Sequence, residues 1–178
     1  YMRNAVYVNT GTGRFNEAAF LTGMAATDWT WSIKFGDLDC DGREDVFVTT
    51  GMSRDWFNSD MRNQEEALII SKGNAAGQAF WDDKKPLALK NWAFRNEGDL
   101  KFENVGEKWG LDEMSVSYGA ALGDLDGDGD QDLVVNNFGG EAGIYRNGET
   151  KGNRLVLKLR GKGKNPRALG AVVRVEMD

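Results

Sequence analysis

The chain repeats itself at an offset of 87 positions, and this repeat limits the folds that the chain can adopt. Residues 4–50 match residues 91–137 without a gap, so that Gly36-Asp37-Leu38-Asp39 falls on Gly123-Asp124-Leu125-Asp126. A third, partial copy begins at Gly143–Asn147. Internal repeats of this size are typical of units that stack or are arranged radially.

Each repeat contains four short runs of β-branched and aromatic residues between clusters of Gly, Asn and Asp, which is typical of strands. The runs lie at 6–8, around 15, 31–35 and 46–49 in the first copy, and at 93–95, around 102, 118–122 and 133–136 in the second. Four short strands per unit predict an all-β fold made of β-propeller blades, each a four-stranded antiparallel sheet. We assign residues 1–147 to these blades. The 23 glycines of the 178-residue chain suit its many tight turns.

The connection after the first copy is much longer than the one after the second, which indicates an insertion at about 51–85. Within it, residues 61–72 are a candidate helix. The aromatic residues of the insertion are interpreted either as packing on a blade or as a docking element for a partner. Trp31 aligns with Tyr118, which favours a repeated role in the blade core over sugar stacking.

The pattern changes after residue 147. Leu155, Leu157 and Leu159 alternate with other residues over 154–160, and alternation returns over 171–177. A period of two indicates half-buried strands, so residues 148–178 are predicted to begin a second β-domain. Because Tyr1 stands inside a strand-like segment and a propeller needs four to eight blades, we interpret the sequence as a fragment of a longer protein.

Two nine-residue loops carry acidic side chains at positions one, three, five and nine and a glycine at position six. The candidate ligands are Asp37, Asp39, Asp41 and Asp45 in the first loop and Asp124, Asp126, Asp128 and Asp132 in the second, with the backbone carbonyls of Arg43 and Asp130 at position seven. Calcium takes six to eight oxygen ligands, and the glycine permits the sharp turn that brings them together.

A plain turn is the alternative explanation for such Asp-Gly-rich loops, but the close carboxylates would then repel one another by a few kcal/mol per pair. The recurrence of the loop in the same register therefore favours two calcium sites. An EF-hand is excluded, because Val48 and Val135 stand where that motif needs a bidentate glutamate.

Composition excludes several other classes of function. The net charge of −6 and the lack of a basic stripe argue against a nucleic-acid partner, and no apolar run is long enough for a membrane span. The chain has no histidine, the commonest general base, and its single cysteine, Cys40, cannot form an internal disulfide.

These motifs resemble known families. The segments 35–46 and 122–133 resemble FG-GAP/VCBS repeats, which build calcium-binding β-propellers. The run Phe102–Leu111, Tyr145-Arg146-Asn147 and the segments 152–159 and 165–175 resemble the ASPIC/UnbV (cartilage acidic protein-like) group. The resemblance implies an extracellular, periplasmic or cell-surface propeller with Ca²⁺ in each aspartate loop. Cys40 departs from the second loop, which has Gly127 there, but position four is not a ligand.

We therefore expect a non-catalytic binding or scaffold module, with calcium as a structural ion and a protein or glycan as partner. One alternative is a portion of a polysaccharide-acting enzyme, although no catalytic constellation is readable in the sequence. Another is an accessory subunit of an envelope or surface assembly, with the insertion as its docking element.

Overall fold

A computed structural model describes residues 3–148 and 155–176. The chain is mostly β-sheet with few helices, which confirms the predicted all-β class. In chain order the elements are β1 (Tyr7–Asn9), β2 (Phe15–Glu17), β3 (Thr30–Gly36), β4 (Asp45–Thr50), α1 (Ser59–Lys72), α2 (Asn74–Phe80), β5 (Leu89–Lys90), β6 (Trp92–Gly98), β7 (Lys101–Asn104), α3 (Gly106–Trp109), β8 (Met114–Ser115), β9 (Ser117–Gly123), β10 (Asp132–Asn137) and β11 (Gly143–Tyr145).

The central unit is a four-stranded antiparallel sheet with the order β3-β4-β6-β7. Val46 of β4 pairs with Phe94 of β6, so the insertion lies between two neighbouring strands of one sheet. The predicted four-stranded sheet is confirmed, but its strands come from two sequence repeats. It combines the last two strands of one copy with the first two of the next, whereas β1 and β2 form a separate hairpin.

Two apolar clusters cover the two faces of this sheet, which explains why every residue of β4 is buried. On one face, Phe47 and Ala93 pack against Leu133 and Val135 of β10. On the other face, Val46, Val48 and Phe94 pack against Met24. The side chains on both faces of β4 are therefore buried, as expected where sheets pack face to face.

The next sheet has three strands in the order β11-β10-β9. Its strand β9 contacts β3 of the first sheet. At this contact the rings of Trp31 and Tyr118 meet edge to face, with centroids 4.9 Å apart, and the Trp31 indole N–H donates to the carbonyl of Gly51. The aligned aromatics thus pack against each other between neighbouring sheets, although Trp31 remains 46% exposed.

The insertion folds into two helices. The Asn58 side chain accepts hydrogen bonds from the backbone N–H groups of Asp60 and Met61, which fixes the start of α1, and Gly73 ends it. This helix confirms the one predicted over 61–72, whereas α2 was not predicted. Among the described residues, α1 buries no side chain and packs mainly against α2.

Residues 155–176 are described without a strand, and the leucines at 155, 157 and 159 are exposed. Residues 154 and 177 of the predicted strands lie outside the described residues. The second β-domain therefore stays a prediction. In the described parts of the chain, no helix has the length and apolarity required to cross a membrane.

Candidate metal centre

Both aspartate loops are hairpin loops at equivalent places in neighbouring sheets. Gly36 pairs with Asp45 to close the loop between β3 and β4, and Gly123 pairs with Asp132 to close the loop between β9 and β10. The strand–loop–strand setting predicted from the sequence is confirmed.

The carboxylate at position nine is buried in both loops, with Asp45 0% and Asp132 1% exposed. One oxygen of Asp45 accepts the backbone N–H of Leu38 at 2.9 Å, and the other accepts that of Asn96 at 2.9 Å. This carboxylate therefore ties the start of the loop to the neighbouring strand β6.

The second loop repeats this arrangement residue for residue. Asp132 accepts the backbone N–H of Leu125 at 2.7 Å and that of Asn147 at 2.8 Å. The equivalence of Asn96 and Asn147 was visible in the repeated Arg-Asn pair after each loop, but the sequence did not reveal their function as donors to position nine.

The carboxylate at position one curls the loop around itself. Asp37 accepts the backbone N–H groups of Asp41 and Gly42, both at 2.9 Å. Asp124 accepts those of Gly127 at 2.7 Å and Gly129 at 3.1 Å. The glycine at position six is needed here, because its φ of 87° in the first loop and 93° in the second lies in the left-handed region.

These turns bring three carboxylates together in each loop. The groups are Asp37, Asp39 and Asp45 in the first loop, and Asp124, Asp126 and Asp128 in the second, each with one oxygen per residue within 4.8 Å of the others. Hard oxygen atoms at this spacing suit calcium. Of the remaining predicted side-chain ligands, Asp41 and Asp132 lie outside these groups.

Burial makes the first loop electrostatically strained. The pKa of Asp45 is raised from 3.8 to about 6, mainly by burial, which outweighs the two backbone N–H donors. Burial, followed by the negative charges of Asp41 and Asp37, also raises the pKa of Asp39. One Asp39 oxygen is buried and accepts no hydrogen bond from the described residues. A cation at this point would satisfy that oxygen, so the residues fit a bound Ca²⁺.

Position seven differs between the loops, as expected for a residue predicted to act through its carbonyl. The Arg43 side chain forms an ion pair with Asp41 and donates from Nε to the carbonyl of Asn96 at 2.8 Å. Asp130 is buried, and its backbone N–H donates to Asp128 at 3.2 Å. At position four, Cys40 is partly buried and has a left-handed φ of 57°, and Gly127, at the same position of the second loop, has a left-handed φ of 84°.

The two loops also contact each other. The Asn147 side-chain amide donates to the carbonyl of Leu38 in the first loop at 2.7 Å and to that of Gln131 at 3.3 Å. A methyl group added at Gly36 would lie 2.2 Å from the Gln131 side-chain oxygen. The predicted sites are thus neighbours across the contact between sheets, which the linear repeat did not indicate.

Comparison with known proteins supports the repeat analysis. The family model described as FG-GAP-like repeat matches residues 1–48 and 67–135. The unmatched residues 49–66, between the two matched stretches, fall within and just before the inserted segment, and the match ends at residue 135. No curated protein matches the chain.

Proposed function

Because the chain belongs to the FG-GAP-like repeat family, we propose that it is a calcium-binding β-propeller module in which one Ca²⁺ ion holds each aspartate loop. The observation that carries this proposal is the group Asp37, Asp39 and Asp45, in which one buried Asp39 oxygen has no hydrogen-bond donor among the described residues. Asp124, Asp126 and Asp128 provide the corresponding group in the second loop.

Bound calcium would supply a local positive charge that offsets the repulsion between these carboxylates. In the first loop, Asp37 and Asp39 would hold the ion with the buried Asp45, and Asp41 would join them if its pair with Arg43 opened. Since the carboxylates at position nine are hydrogen-bonded to the following repeat, an ion in the loop would also stabilise the contact between β-strands. Calcium in this proposal is a structural ion.

We infer further that the module is non-catalytic and functions as a binding or scaffold protein in an extracellular, periplasmic or cell-surface setting, where calcium is abundant enough for loops of modest affinity. The partner is proposed to be a protein or a glycan. Membership of the ASPIC/UnbV group remains part of this proposal, and rests on the sequence segments around 102–111 and 165–175.

Thermal melts in calcium and in EGTA test the structural role of the ion. We expect a higher melting temperature in calcium, and the gain should shrink in the double variant Asp37→Asn/Asp39→Asn. The double variant Asp83→Asn/Glu66→Gln is the matched control, because it removes two negative charges at exposed positions away from both loops. Equal melting temperatures of the unmodified chain in calcium and EGTA would refute the proposal.

The inserted segment provides a second candidate function, namely the docking of a partner. Phe57 is 61% exposed beside the half-exposed Trp56, and Ile70 of α1 is 80% exposed. Replacing residues 56–80, which include Trp56, Phe57 and both helices, by a short glycine-serine linker should leave calcium binding intact and abolish partner capture. Unchanged capture by the linker variant would exclude the helices as the docking element.

A further inference from the structure

An arginine pairs with aspartates in each loop, but the two pairings differ in place. Arg43 pairs with Asp41, which lies outside the converging carboxylates of the first loop, whereas Arg146 contacts the converging carboxylates of the second. Nε of Arg146 lies 2.5 Å from an Asp126 oxygen, and Nη2 lies 3.8 Å from an Asp128 oxygen. Asp126 and Asp128 are two of the three carboxylates that converge in this loop. The guanidinium therefore contacts the same side chains that are proposed to hold calcium.

The equivalent arginine of the first loop, Arg95, forms its hydrogen bonds outside the loop. It donates from Nε to Glu97 at 2.7 Å and lies 3.0 Å from Glu103, and it acts on Asp39 through its charge without a hydrogen bond. The third, partial copy has Gly148 at the position of Glu97, so that Arg146 lacks this local acidic partner. The two arginines thus differ in the acidic side chain available two residues further along the chain.

Arg146 can leave the loop without a change of fold. Its side chain is 72% exposed, and it lines a cleft of about 430 Å³ that also borders Asp39. An exposed ion pair of this kind is worth about 1 kcal/mol or less, because water screens it and the long side chain loses freedom. Such a pair is weak enough for a divalent cation to replace.

Building on the proposed calcium function, we propose that Arg146 is an internal counter-ion that competes with Ca²⁺ for the loop 124–132. The two loops consequently bind calcium with unequal affinity. The loop 37–45 fills first, and the loop 124–132 fills only when calcium displaces the guanidinium. Arg146 thereby sets the calcium concentration at which the second loop becomes ordered around an ion.

Calorimetric calcium titrations of the full chain test this competition. The variant Asp37→Asn/Asp39→Asn isolates the second loop, and adding Arg146→Gln to it should tighten calcium binding about two- to fivefold, the change expected from the loss of one exposed ion pair. Arg95→Gln, in a chain whose second loop carries Asp124→Asn/Asp126→Asn, is the matched control. Because Arg95 acts on Asp39 only through its charge, this change should alter the affinity of the first loop less than about twofold.

Two further readouts separate competition from a general structural role. Arg146→Gln should lower the melting temperature in EGTA, since the loop loses its counter-ion, but it should enlarge the gain caused by calcium. Arg146→Lys keeps the charge and loses the forked geometry, so its calcium affinity should lie between those of the other two forms. A residue with only a packing role would lower both melting temperatures equally, and this result would overturn the inference.

Failure of the counter-ion inference can be told apart from failure of the calcium function. If both loops bind calcium and Arg146→Gln leaves the affinity of the second loop unchanged or weakens it, the counter-ion inference is overturned while the calcium function stands. If neither loop binds calcium in the unmodified chain or in the Arg146→Gln variant, the proposed function itself is overturned and this inference with it.

Discussion

Replacement of Asp45 by asparagine separates the two opposing contributions of this buried carboxylate. Its pKa of about 6, against an ordinary 3.8, means that burial makes the ionised form in the folded chain unfavourable by at most about 3 kcal/mol at pH 7. An uncharged asparagine side chain would remove that cost. It would also turn an amide N–H₂ group toward the backbone N–H of Leu38 or Asn96, which leaves one donor unsatisfied at a cost of about 2 to 3 kcal/mol.

The two changes nearly cancel in the absence of calcium, so we expect Asp45→Asn to alter the free energy of unfolding by about 1 kcal/mol or less in EGTA. With calcium at about 100 times the dissociation constant, the unmodified loop gains about 2.7 kcal/mol from the ion, and Asp45→Asn should lose most of it. Urea unfolding of both forms, with and without calcium, measures these differences. An equal loss of stability in both conditions would refute the reasoning, because it would assign Asp45 a purely structural role.

The same structure gives three further predictions. Because the folded pKa of Asp45 is raised, stability in EGTA should fall as the pH rises from about 4 through about 6. Calcium binding, measured by calorimetry, should weaken below about pH 6, because protons compete with the ion for this carboxylate. A calcium affinity that is constant from about pH 5 to about pH 7 would contradict this prediction. Gly51→Ala should lower stability in urea unfolding by about 1 to 3 kcal/mol, since its φ is 102° and the added methyl group would lie 2.5 Å from the backbone carbonyl oxygen of Ser115, whereas Gly119→Ala, at an open position, should cost less. Asn147→Ala removes the amide that joins the loops and should cost about 1 to 2 kcal/mol in the same assay; no loss would show that this link between the loops contributes nothing.

The strands could be predicted from the sequence, but their partners could not. The runs 31–35 and 46–49 lie within β3 and β4, and their hairpin follows from the glycines and aspartates of the loop between them. Alternation indicates which residues are buried and not which strand lies beside them. For this reason the sequence pattern places β6 in the same blade as the second aspartate loop, whereas the strand pairs with β4, next to the first loop, across the insertion.

Predictions within the insertion and after residue 147 were limited for a related reason. The helix over 61–72 was predicted from its residues, whereas α2 is a seven-residue helix with a glycine in its middle, which is too short for a clear pattern. Residues 155–160 alternate as a strand would, yet the described chain gives them no strand partner. A segment whose side chains alternate with a period of two forms a sheet only when a neighbouring strand pairs with it.

The candidate site, too, was only partly predictable from the sequence. The acidic positions and the position-six glycines were identified from spacing alone, because they are close together in the chain. Asn96 lies 51 positions from Asp45, and Asn147 lies 15 positions from Asp132, the carboxylates to which their backbone N–H groups donate. The contact of Arg146 with the second loop likewise depends on tertiary structure. Local motifs therefore identify the acidic groups, and only the folded chain reveals which residues control them.

The number of calcium ions bound per chain tests the central claim most directly. Equilibrium dialysis against calcium, followed by elemental analysis of metal and protein, should give two ions per chain, and one ion in either Asp37→Asn/Asp39→Asn or Asp124→Asn/Asp126→Asn. A value of zero in the unmodified chain, or of two in both double variants, would contradict the assignment of calcium to the loops 37–45 and 124–132.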